Sequence, residues 1–294
     1  VHGSAGGRLY LTENMIIGSF ASSAVTSSNS NLSIQYDSYN FSGHRPVIAT
    51  SGSVSWLSAG TSFASTVNTG WFYWNQNSQS INDLTIGRAT ETKGVTLSTT
   101  TASIAGYATG NSSLAVGNNL VVNGGQISVS TDVIAGGAIT LTSDFTGVGS
   151  GIDLNEASLT TTTGDITLNA TTDATGQSDR TIYGVRIADS AVQTAFGDIT
   201  IDGYLKGSAS NTHADSRAVY VTSSSASAFT TLKTTAGGDV KVSGYIQSGQ
   251  GVDGLYVTSF AQSAYTVVDS SGTLMMSRIL LFFHSFDGDV ERIR

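Results

Sequence analysis

Three aspartates hold the same place in a recurring pattern: Asp165 in GDITL, Asp198 in GDITI and Asp239 in GDVKV. Carboxylates repeated at one structural position are what a Ca²⁺ site needs, since the ion takes about six to eight oxygen ligands. The same side chains can instead accept hydrogen bonds at the turn that enters each strand, the ordinary habit of Asp in turns. The nonapeptide GGxGxDxUx of calcium-binding β-helices is absent. The turn role is therefore the expectation, and no metal or other cofactor is assigned.

A second set lies on the outward side of the same repeats. Arg186, Tyr220 and Tyr256 occupy equivalent positions in GVRI, AVYV and GLYV. A guanidinium beside aromatic rings can stack over their faces, an arrangement suited to sugars. Long amphipathic side chains also cover an exposed sheet without any ligand. The three residues stand as a possible surface binding strip, and Tyr204 and Tyr245, in GYL and GYI, carry the same two readings.

The run Trp71, Phe72, Tyr73, Trp74 could form a recognition patch, because Trp and Tyr dominate binding hot spots. The preferred reading is an excursion packed on the side of the shaft, where aromatics bring large buried area. Asp153 and Glu156 are the closest acidic pair with a base in reach, Arg186 one repeat later, which is the material of polysaccharide-cleaving acid–base chemistry. Nothing in the sequence fixes that pair in a cleft. The four histidines, His2, His44, His213 and His284, are scattered, so no catalytic residue is assigned and the chain is not expected to be an enzyme.

The elements that must position these residues are strands. The pattern Gly-x-apolar-x-apolar recurs, and in the second half a series begins at Gly151, Gly184, Ala218 and Gly254, in steps of 33, 34 and 36 residues. Units this short cannot bury their own apolar face and must pack on neighbours. Period-2 alternation excludes helices: Val185 and Ile187, Val219 and Val221, Leu255 and Val257 point one way. Ile166 and Leu168, Ile199 and Ile201, Val240 and Val242 do the same in the GD segments. GYLKGS from Gly203 and GYIQSG from Gly244 suggest a third short strand per coil. TSSSASAFTTLKTTAGG reads as a Ser-rich insertion at one corner. The fold expected is all-β, a parallel β-helix or β-solenoid of roughly eight coils.

The same grammar appears upstream at Gly52 to Trp56, Asp83 to Ile86, Gly125 to Val129 and Gly137 to Leu141. Three regions follow: 1–80, an irregular N-terminal β region with the aromatic excursion; 81–276, the β-helix repeats; and 277–294, a non-repeat tail. Charged residues are only 12% of the chain against about 25% in ordinary globular domains. Hydrophobic residues reach 39% at regular intervals, which opposes disorder. The net charge of -8 leaves no basic stripe for nucleic acid, and the absence of cysteine rules out a disulfide scaffold. The longest apolar run, Ile279 to Phe283, is far too short to span a bilayer, which needs about 20 residues. The chain begins at Val1 with no basic n-region followed by an apolar stretch, as expected of an internal piece of a larger protein.

LTIGRATETKGVTLSTTTASIAG from Leu84 to Gly106, then NNLVVNGGQISVSTDVIAGGAITLTSD and the GDITL and GDITI segments, resemble the passenger region of filamentous haemagglutinin-type adhesins. The resemblance implies a right-handed β-helix shaft of a large Gram-negative surface or secreted protein. It also implies export through an outer-membrane pore and attachment to host cells, other bacteria or surfaces through their glycans or proteins. The Asn-Pro motifs of the family's N-terminal secretion domain are missing, and the repeat is longer than the tightest shaft repeats. The rival reading is a polysaccharide-processing β-helix enzyme, a lyase or a tailspike-like glycosidase.

Overall fold

A strand that shows one face to a core and the other to water needs alternating apolar and polar residues, and nearly every repeat supplies them. The computed structural model describes residues 9–11, 24–27, 31–35, 47–74, 81–99, 113–175, 181–207, 216–224, 229–247, 253–259 and 265–277. Among them the chain is all-β, with a single 3-10 turn at Thr69–Trp71 and no α-helix. Every strand pairing there is parallel.

One sheet has ten strands, from Leu9–Leu11 to Leu274–Ser277. A second has seven, from Val67–Asn68 to Asp253–Ser259, and a third has six, from Ser113–Val116 to Tyr265–Asp269. A small sheet joins Ala24–Ser27, Val47–Thr50 and Tyr73–Trp74. From Leu120–Gly124 onward the chain visits the ten-, seven- and six-stranded sheets in unvarying rotation. One strand of each makes a coil, and hydrogen-bonded neighbours are one coil apart, the connectivity of a β-solenoid.

The register explains why the repeat must be kept. In the ten-stranded sheet Ile139, Ile166, Ile199, Val240 and Leu274 stand opposite one another, as do Leu141, Leu168, Ile201, Val242 and Met276. All but the last of each column are buried, and the seven-stranded sheet adds Ile152, Val185, Val219 and Leu255 to the same core. Each such side chain contributes about 1.5–3 kcal/mol by leaving water. A one-residue slip would turn an entire column outward. Coils also touch tightly at the corners: a Cβ on Gly197 would lie 2.2 Å from the Gly164 carbonyl oxygen, so that place in the GD motif admits only glycine.

Two local expectations are corrected. GYLKGS and GYIQSG do not open separate third strands; their first residues, 203–206 and 244–246, are the second halves of the continuous strands Ile199–Lys206 and Val240–Ile246. The third strand of each coil is the one before the GD segment, Ser158–Thr161, Ala191–Thr194 and Phe229–Thr234. The last lies inside the stretch read as a Ser-rich insertion. These strands bury one aliphatic residue each beside threonine, Leu159 with Thr161, Val192 with Thr194, Leu232 with Thr230 and Thr234, a signal too brief to stand out.

The aromatic run is not an excursion on the outside of the shaft. Trp56, Phe63, Phe72 and Trp74 are buried in the core cluster that holds the coil residues, and Trp71 packs against it. Trp56 is the hub, with Phe72 at 5.0 Å and edge-on, Trp71 at 5.9 Å and Phe63 at 6.1 Å. Large rings fill the interior where Val67–Asn68 and Tyr73–Trp74 are too short to supply aliphatic columns. The preceding segment is pinned by Glu91, whose side chain is 3% exposed. Its carboxylate accepts the Phe63 backbone N–H at 2.9 and 3.1 Å, the N–H groups of Thr92 and Lys93 at 3.1 and 3.0 Å, and the Ser62 hydroxyl. The Val54–Leu57 strand pairs directly with Leu84–Ile86, so the ten-stranded sheet runs across residue 80. His2, His44, His213, His284 and all of the 277–294 tail beyond Ser277 lie outside the described residues.

Candidate functional site

A solenoid offers chemistry only on its outward rows and at its corners, because inward rows are sealed. At the corner entering the ten-stranded sheet the three aspartates do come together, and they are bonded to backbone. Asp165 Oδ1 accepts the Asp198 N–H at 2.8 Å, Asp198 Oδ1 accepts the Asp239 N–H at 2.8 Å, and Asp239 Oδ1 accepts the Thr273 N–H at 2.6 Å. The same device recurs earlier along the chain, from Asn31 to Ser53, Asp83 to Asn119 and Asn119 to Ala138. Each side chain thus ties its coil to the next. Among the described residues no group of three or more His, Cys, Asp or Glu is arranged to hold a metal ion. At Asp83 burial raises the carboxyl pKa, but hydrogen bonds from Ser53, Asn119 and Asn118 outweigh it and hold the group below its ordinary value.

The second site lies on the seven-stranded sheet. Register sets Asp153, Arg186, Tyr220 and Tyr256 in one outward row, so the predicted strip does exist as a row. Its internal partnerships differ from the expectation. Arg186 does not stack on an aromatic face; its Nη1 donates to Asp153 at 2.8 Å and to Asn155 at 3.3 Å. The cation over the ring is Arg217, whose guanidinium carbon sits 4.6 Å from the Tyr256 centroid. Tyr183 stacks on Tyr220 at 5.0 Å and 12°, and Tyr220 meets Tyr256 at 5.7 Å. Burial in this stack pushes the Tyr220 phenol above its ordinary pKa.

Tyr183 and Arg217 escaped the sequence reading for a specific reason. Strict alternation would turn both inward with Val185 and Val219, yet the burial order in Tyr183–Ala188 places Gly184 and Val185 consecutively inside. The pairing likewise steps from Tyr183–Arg217 to Val185–Val219 and skips Gly184 and Ala218. A Cβ on Gly184 would stand 2.4 Å from the Ala218 carbonyl oxygen and 3.2 Å from the Gly203 Cα. Close approach of two sheets at this corner bends the strand and turns the preceding side chain out.

No protein-family model matches this chain, nor does any curated protein or solved structure. Its surface must speak for its function. Asp153 and Glu156 do not form an acid–base pair around open space: Asp153 is neutralised by Arg186. Glu156 sits at a corner with φ 51°, as Asp189 does one coil later with φ 50°. Asp189 in turn accepts the Ser224 N–H at 2.7 Å from the following coil. Asp153 and Asp189 thus have structural partners.

On the ten-stranded sheet Tyr204 stacks on Tyr245 at 5.1 Å and 27°, and the Tyr204 hydroxyl donates to Gln247 at 3.1 Å. The two rings wall a shallow outward groove with a cavity volume of about 350 Å³. Three uniform ladders therefore run along the outside, a carboxylate–amide corner, a tyrosine–arginine row and a tyrosine pair with a groove.

Proposed function

We propose that this chain is a structural shaft and adhesive segment of a large bacterial adhesin, surface-exposed or secreted and associated with the outer membrane of a Gram-negative cell. The observation that carries the reading is the unbroken coil-to-coil bonding. Ten parallel strands of one sheet are joined by backbone ladders, and side-chain bonds along the corner run from Asn31 to Ala138 and again from Asp165 to Thr273. Bonds directed along one axis resist extension and bending, which is what a spacer needs.

The finer features of the proposal have separate supports. Right-handed winding follows the strong preference of parallel crossover connections. Roughly eight coils at about 4.8 Å each make a rod of roughly 40 Å. Surface glycans or proteins of host or bacterial cells are the partners, reached through outward rows such as Arg186, Tyr220 and Tyr256. The full-length protein would leave through an outer-membrane pore, a point supported by the sequence resemblance alone. The acidic charge of -8 disfavours nucleic acid, and this segment is proposed to insert into no membrane. Catalysis is not part of the reading, since Asp153, one of the two candidate acids, is paired with Arg186 of the next coil.

The test is binding of the purified chain to whole bacterial and epithelial cells, with the same samples assayed for release of reducing ends from polysaccharides. Cell binding without turnover agrees with the proposal. Turnover lost on Asp153→Ala or Glu156→Ala would overturn it in favour of a polysaccharide-processing enzyme.

A further inference from the structure

The polar rows on the outside of the ten-stranded sheet differ in whether their groups are used. Asn169, Asp202 and Ser243 are register partners in three successive coils, side by side along the axis. Among the described residues their side chains make no hydrogen bond and no ion pair, whereas the corner aspartates four positions earlier are all engaged. Two residues further along the same strands stand Tyr204 and Tyr245, about 7 Å away by strand geometry. Between the two rows the floor is bare backbone at Gly203 and Gly244. On their inward side both positions require glycine, where a Cβ would lie 2.0 Å from the Ala218 carbonyl oxygen and 1.9 Å from that of Gly254.

We propose that this groove binds an uncharged, hydroxyl-rich glycan chain laid along the solenoid axis. The proposal rests on the adhesive reading above and gives it a site. One amide, one carboxylate and one hydroxyl, all unengaged, offer donors and acceptors in the mixture that sugar hydroxyls require. The tyrosine wall supplies apolar contact for ring C–H groups beside that polar row. The only charged residue lining the groove is Asp202, which repels uronic, sulfated and phosphate-bearing polymers. The polar row crosses three successive coils at about 4.8 Å each, so an extended polymer laid along the axis meets all three groups in turn, whereas a globular partner would need a broader surface.

The 294-residue chain should be titrated calorimetrically with neutral cello-, malto-, xylo- and N-acetylchito-oligosaccharides and with acidic oligogalacturonate and hyaluronan fragments. Tyr204→Ala and Asp202→Ala are the test variants. Lys233→Ala on the six-stranded sheet is the control, and thermal melts by circular dichroism establish that all fold. At least one neutral series should bind, weakened about tenfold or more in both test variants and unchanged in the control. Binding that ignores Tyr204 and Asp202, preference for the acidic series, or absence of any glycan binding overturns the groove. Cell adherence of the same proteins separates the two readings: adherence that persists without neutral-glycan binding rejects the groove and leaves the adhesive shaft, and absence of both rejects both.

Discussion

The carboxylate of Asp198 accepts the backbone N–H of Asp239 in the following coil at 2.8 Å, while the backbone N–H of Asp198 donates to Asp165 in the preceding coil at 2.8 Å. One residue is both rung and rail. The corner would otherwise leave these N–H groups without partners, because the inter-strand ladder begins one residue later at Ile199. Glycine before it lets the coils approach, and aspartate then spans the gap, which is the physical content of the GD motif.

Asp198→Ala removes one acceptor and leaves the Asp239 N–H to water at this exposed corner, at a cost of roughly 0.5–1.5 kcal/mol. Asp198→Asn should recover most of that loss, since Asn119 performs the same role toward Ala138 at 2.9 Å. Urea unfolding followed by far-ultraviolet circular dichroism measures both. Equal midpoints for wild type and the alanine variant would refute the ladder's contribution.

Ile199 is fully buried between Ile166 and Val240. Ile199→Asp puts an unpaired charge in the interior at a cost of about 3–5 kcal/mol. Ile199→Val, which keeps the shape, should cost only about 1 kcal/mol. The aspartate variant is expected to melt at a lower temperature with a broader transition; an unchanged cooperative melt would contradict the stacked core.

Glu91 holds the segment before the aromatic cluster by accepting the buried Phe63 N–H. Glu91→Ala should make the Ser58 to Thr66 stretch susceptible to limited proteolysis while the later coils remain resistant. Mass spectrometry of early digestion products locates the cut. Cleavage elsewhere, or none, would show that the aromatic packing around Trp56 suffices on its own.

Asp83 gives an acid limb with a definite sign. Its folded pKa lies below the unfolded value, so its contribution to stability is complete above the ordinary carboxylate pKa of about 4. The contribution is lost as the pH falls through the lower folded value. Asp83→Asn should flatten the fall in melting temperature below about pH 4 relative to wild type. A parallel decline in both proteins would assign the acid sensitivity to other groups.

Much of this was legible because a solenoid repeats its instructions. Val185 and Ile187, or Ile166 and Leu168, announce a strand and its inner face by alternation alone, and the return of GD after 33 and then 41 residues announces the stack. Where the signal is short, the reading failed. The strand Ala191–Thr194 buries Val192 and Thr194, and threonine inside a core does not read as apolar. The rings of Phe63, Phe72 and Trp74 gave hydrophobicity without period, so their place inside the coil was not visible.

The sequence by itself determined that the chain is built of parallel repeats and which columns face inward, because period-2 burial and the tight Gly-Asp corner are local properties that recur from coil to coil. Only the tertiary structure decided the partnerships on the outside: Arg186 with Asp153, Arg217 over Tyr256, Tyr204 on Tyr245, and the unengaged row of Asn169, Asp202 and Ser243. Those partners are some 30 to 40 residues apart in sequence. They meet through exact register and through one bend, where close packing at Gly184 overrides the alternation that the sequence otherwise obeys.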